Sequence, residues 1–119
     1  MKLYLGISQS NSHLYLAAID NQGVAVFKTR FPSACPPEAV TNSLKSLQQA
    51  FSASLRISTC LEEANQQHLL EAIQKEFYGV KSFTPSVFYS TDILPEDPFA
   101  SPDPYRYPLL LAILDSLSD

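Results

Sequence analysis

Apolar and polar positions alternate over the first third of the chain. Leu3, Leu5 and Ile7 alternate with Lys2, Tyr4 and Gly6, the two-residue period of a strand with one buried face. The polar stretch Ser8-Gln9-Ser10-Asn11-Ser12 reads as a turn, and His13 to Ile19 is a second apolar run. Asp20-Asn21-Gln22-Gly23 is a turn signal, after which Val24 to Phe31 reads as a third strand with Val24, Val26 and Phe27 facing a core. Turns this short make the three strands antiparallel neighbours.

The period then changes. Pro36-Pro37-Glu38 predicts a helix start, because proline suits the first turn and a carboxylate suits the positive end of the helix dipole. Val40, Leu44, Leu47 and Phe51 recur at helical spacing and form one apolar stripe. Leu55 to Cys60 reads as a strand. Glu62 to Phe77 reads as an amphipathic helix with Leu69, Leu70, Ile73 and Phe77 inward, and Gly79 is placed to end it. Val80 to Phe83 is a fifth strand. Six of the nine prolines then fall between Pro85 and Pro108, together with Asp92, Glu96, Asp97 and Asp103. Residues 84–107 are therefore expected to form a stiff acidic loop, partly polyproline-like. A last helix, Pro108 to Leu117, is apolar nearly all round and must be covered on more than one face. The order β-β-β-α-β-α-β-α predicts one α/β domain over residues 1–119, with helices packed on a mixed five-stranded sheet.

Composition narrows the function classes. No apolar run approaches the ~18 residues of a membrane span, and no signal-peptide pattern opens the chain, so a cytoplasmic protein is expected. Cys35 and Cys60 make no disulfide framework and are expected to be reduced apolar filler. Eight basic residues against twelve acidic ones give a net charge of −4. A protein that grips nucleic acid alone usually carries a basic face, so nucleic acid is not an expected partner. Lys28, Arg30 and Lys45 form the one basic stripe that would argue otherwise.

The element order resembles the ribonuclease-H-like plan, and short motifs extend the resemblance to the RuvC-like, DEDD-type domain of insertion-sequence transposases. Where that family's first strand reads Gly-Ile-Asp-Val-Ser, this chain has Gly6-Ile7-Ser8-Gln9-Ser10. Glu63-Ala64 resembles the Glu-Ala that follows the family's fourth strand, and Thr84-Pro85-Ser86-Val87 resembles its Asn-Pro-x-x-Val segment. The family's last motif has two aspartates three apart at a helix start; Asp103 matches the first, and Arg106 occupies the second. The family's large C-terminal domain has no counterpart in these residues.

The resemblance implies two-metal phosphodiester chemistry, which requires several carboxylates converging on the cations. Ser8 offers a neutral hydroxyl where the central aspartate is expected, and Arg106 puts a permanent positive charge where a metal should sit. Glu63 and Asp103 are the remaining weak metal candidates, and an ion pair from Arg106 to one of them is expected in place of bound Mg²⁺. The leading expectation is thus a catalytically degenerate ribonuclease-H-like domain, without a cofactor, that binds proteins or acts as a scaffold. The alternative is a metal-dependent nuclease or recombinase relative that retains Mg²⁺ or Mn²⁺ through Glu63, Asp103 and a third acid, Asp20 or Asp92.

Other chemistries fare worse. The polar stretch 8–12 has neither the acid nor the glycine of an actin-like phosphate loop. His13 and His68 lack ligand spacing. Ser8 and Ser10 have no base nearby in sequence and read as turn residues. Glu62-Glu63 is also accounted for by the dipole at a helix head. Tyr4, Tyr15, Tyr78, Phe88, Tyr89, Tyr105 and Tyr107 are more aromatics than a small core needs, which points either to protein contacts or to pinning of the proline loop on the body. The outer face of the apolar last helix needs cover from either the proline loop or a second copy, and the expected solution is a homodimer through Leu109, Leu110, Leu111 and Leu114.

Overall fold

The computed structural model describes residues 2–9, 13–61, 63–83 and 105–118, with the backbone alone at 63–65. The elements follow the order β1 (Lys2–Gln9), β2 (His13–Ile19), β3 (Ala25–Pro32), α1 (Pro37–Phe51), β4 (Ser54–Cys60), α2 (Glu63–Glu76), β5 (Lys81–Ser82) and α3 (Arg106–Ser118). The protein is α/β, with one five-stranded mixed sheet in the order β3-β2-β1-β4-β5. β1 pairs antiparallel with β2, and β2 with β3, while β1–β4 and β4–β5 are parallel. Short turns dictate the first two pairings, and helical crossovers dictate the others.

Alternation along β1 divides the molecule into two layers. Leu3, Leu5 and Ile7 point to one face, where they meet Leu14, Leu16, Val40, Leu44, Leu47, Leu69 and Ile73 beneath α1 and α2. Tyr4 points to the opposite face and packs with Ile19 and Ala112 of α3. The sheet is therefore covered on both sides, by α1 and α2 on one and by α3 on the other. α1 begins with Pro37 in its first turn beside Glu38 and ends on Ser52 in the left-handed region, φ 48°. α2 is kinked at Gln66, whose side-chain amide donates to the Ser33 carbonyl at 2.9 Å.

Gly6 decides how close α3 can come. A Cβ at this position would overlap the backbone carbonyl of Pro108, so only glycine lets the helix lie directly on β1. Pro108, Leu111, Ala112 and Asp115 are all buried and share one helix face at i, i+3, i+4 and i+7.

Four expectations need correction. Val24 lies outside β3 and is 54% exposed. The Asp20 carboxylate accepts the amide N–H groups of Gln22 and Val24 at 2.9 and 3.0 Å, which keeps Val24 in the turn, and a bulge shifts the register beside Ile19. Ser8 is no turn residue. It belongs to β1 and is 4% exposed, because pairing continues through Gln9. α3 starts at Arg106, so the expected loop over 84–107 is too long at its end; residues 84–104 lie outside the described residues. Finally, Leu110 and Leu111 are buried at 2% and 0% inside the subunit and are not available to a second copy. The sheet covers the inner stripe of α3, while Leu109 and Leu114 are half-buried and Leu117 is exposed. Among the described residues no helix is long and apolar enough to cross a membrane.

Candidate functional site

The resemblance places its chemistry at the carboxyl ends of β1 and β4. Ser8 pairs across to Tyr15 on one side and Cys60 on the other. Glu63 opens α2 three residues after Cys60, so the backbones of Ser8 and Glu63 share one end of the parallel pair. Arg106, half-buried, opens α3. Asp103 and Asp92 lie outside the described residues, as does Glu62. The ion pair expected from Arg106 to Glu63 or Asp103 involves side chains outside those described.

Asp20 falls elsewhere. It follows Ile19, the partner of Tyr4, at the opposite end of the β1–β2 hairpin from Ser8. At ~3.3 Å per residue, the four residues from Tyr4 to Ser8 alone separate the two by about 13 Å. Its carboxylate already holds the β2–β3 turn. Asp20 cannot join a metal centre with Ser8 and Glu63.

Two side chains described at this end of the sheet, Ser8 and Cys60, are poor ligands for a hard cation, while the carboxylates of Glu63 and Asp103 lie outside those described. Ser8 is a buried neutral hydroxyl, and burial pushes the neighbouring Cys60 thiol up to about 11, which keeps it protonated. Cys60 packs with Leu110 and Leu111 of α3 and with Phe83, Tyr107 and Leu114, an apolar surrounding.

The described residues do assemble a charged cluster that the sequence reading missed. Asp115, on the inner face of α3 and 1% exposed, accepts two hydrogen bonds from Arg56 of β4. Arg56 Nε reaches Oδ2 at 3.3 Å and Nη2 reaches Oδ1 at 3.1 Å, a fork-to-carboxylate arrangement. Lys81 Nζ of β5 donates to Oδ1 at 2.7 Å. Burial alone would push the Asp115 carboxyl up, but the hydrogen bonds and charges of Arg56 and Lys81 outweigh it and hold the group below its ordinary value. Both cations keep about a third of their side-chain surface in water. The cluster clamps α3 to the sheet. Beside it Ser58, fully buried on the same sheet face, has a hydroxyl without a hydrogen-bond partner among the described residues.

Asp115 had a visible signal. It is the one acid in a helix of leucine, isoleucine and alanine, in phase with Leu111 and Ala112. Such a position requires a cation beneath it.

A third feature lies where α3 begins. The rings of Tyr15 and Tyr105 meet edge to face at 5.4 Å, and His13 lies 6.0 Å from Tyr15. Lys28 Nζ stands 5.6 Å above the Tyr105 ring, within cation–π range. Lys28 and Arg30 thus share the α3 face of β3. Lys45 does not continue the stripe, because it lies on α1 and pairs with Glu76 at 3.1 Å on the other side of the sheet. His68 is exposed on α2.

No protein-family model matches this chain, and no curated protein matches it.

Proposed function

We propose that this chain is a ribonuclease-H-like domain without the parent chemistry, serving as a protein-binding or scaffold module. One observation carries the reading: the central metal position of that plan is Ser8, buried beside an apolar cysteine. The mixed sheet supports the fold half of the reading, since hairpin strands on one side of β1 and parallel crossover strands on the other are what the plan asks for. The partner is a protein or a second copy of this chain; the exposed parts of Leu109, Leu114 and Leu117 are the remaining route to a homodimer along α3.

The alternative, a metal-dependent nuclease, is reduced to Glu63, Asp103 and Asp92 as possible acids. A cleavage assay separates the two. Incubated with labelled single-stranded, duplex and branched DNA in Mn²⁺ or Mg²⁺, the protein is expected to leave every substrate intact. Cleavage that disappears in Glu63→Gln would replace the binding-module reading with the nuclease.

A further inference from the structure

We propose that the outer edge of β3 takes up an extended peptide in which acidic and apolar residues alternate. The inference rests on the binding-module reading and names the chemistry of the partner.

β3 ends the strand order and pairs only with β2 among the described strands. Its eight residues, Ala25–Pro32, offer an edge of about 26 Å at ~3.3 Å per residue. Alternate backbone N–H and C=O groups on such an edge point away from the sheet and can accept a further strand. The opposite edge, β5, has only two residues and offers no comparable ladder.

The side chains along this edge specify what can pair with it. Lys28 and Arg30 are exposed on the α3 face, two residues apart, opposite Ala17 and Tyr15 of β2. The Tyr105 ring beneath Lys28 holds that ammonium over the sheet surface. β1, β2 and β3 contain no carboxylate, so nothing on the neighbouring strands neutralises the pair. On the other face Phe27 and Phe31 pack against the core yet remain half-buried, with Thr29 between them. An added strand would set one face against two cations and the other against phenylalanine edges. Strand periodicity then requires acids at alternate positions and apolar residues between them.

The same charges reject a second copy at this edge. Antiparallel pairing of two β3 strands about Thr29 would place Lys28 opposite Arg30, and like charges directly opposite each other are destabilising. Lysine on an edge commonly prevents indiscriminate pairing. Here it leaves the edge open to an acidic strand and closed to its own copy.

Fluorescence polarisation with the full chain and a fluorescein-labelled Thr-Val-Glu-Val-Glu-Val-Thr peptide tests this. Saturable binding is expected. It should weaken about tenfold or more, as loss of two charge-assisted contacts implies, when both Glu are replaced by Lys or when the protein carries Lys28→Glu with Arg30→Glu. Both positions are exposed, and circular dichroism of the double variant should match the parent. Methylating alternate peptide nitrogens should abolish binding if the contact is a strand ladder. A flat titration, equal binding by the N-methylated peptide, or tighter binding of oligothymidylate than of the peptide would each overturn the proposal. A flat titration with no DNA cleavage removes the edge alone, whereas Glu63-dependent cleavage removes the binding-module reading.

Discussion

Asp115→Ala is expected to lower the unfolding free energy by about 3 kcal/mol, the lower end of what breaking a buried ion pair costs. The lower end applies because Arg56 and Lys81 are a third exposed and can turn to water once the carboxylate is gone. What is lost is a polar clamp between α3 and the far strands, β4 and β5. Asp115→Asn should recover part of the loss, since an amide oxygen still accepts one bond but draws less from two cations. The pH dependence has a definite sign. A carboxyl held below its ordinary value contributes stability that is fully present above its unfolded value of ~3.9 and fades as the pH falls through the lower folded value. Urea unfolding from pH 7 to pH 2 should show the parent losing its advantage over Asp115→Asn below about pH 4. A gap that stays constant through that range would mean that the charge of Asp115 does not contribute.

Gly6→Val is expected to cost about 3 kcal/mol, at the upper end of overpacking. The atom in the way is the Pro108 backbone carbonyl and not the end of a flexible side chain, so relief requires the helix itself to move. The damage should be directional. α1 and α2 cover the opposite face, where Leu3, Leu5, Ile7, Ile57 and Ile73 keep their partners. Hydrogen exchange should therefore show α3 amides losing protection well before those of β1 and α1. Equal loss in α1 and α3 would contradict the two-layer description. Gly6→Ala, which adds only the Cβ, should show the same pattern with a smaller cost.

The parts of the fold that are written locally were legible in the chain. The period switch at Pro36, the stripe of Val40, Leu44 and Leu47, and the turn at Asp20 each depend on near neighbours in sequence, and each lies where the pattern put it. Val24 was misread because alternation alone does not reveal that a side chain four residues back along the turn captures its N–H; the Asp20 carboxylate does this. Ser8 was read as a turn residue on its polarity, yet parallel pairing with Cys60, fifty-two residues away, extends the strand past it. Long-range contacts also explain the last helix. The sheet covers its inner stripe through the gap left by Gly6, while Leu109, Leu114 and Leu117 on the outer side keep exposed surface. Gly6 itself had been read as part of a family motif, whereas its measurable role is to admit α3. As for the candidate site, Ser8 and Glu63 were linked in the sequence only through the family resemblance, and parallel pairing of β1 with β4 is what brings their backbones to one end of the sheet. Asp115 was missed because its partners, Arg56 and Lys81, sit on strands far from it in sequence.

Titration calorimetry with Mn²⁺ tests the account most directly. The binding-module reading holds that the end of β1 and β4 presents a buried hydroxyl and a protonated thiol where a metal centre would need carboxylates. The expected result is heat of dilution only, into the millimolar range, for the parent and for Glu63→Ala alike. Saturable binding in the parent that disappears in Glu63→Ala would contradict it and return the chain to the metal-dependent nucleases.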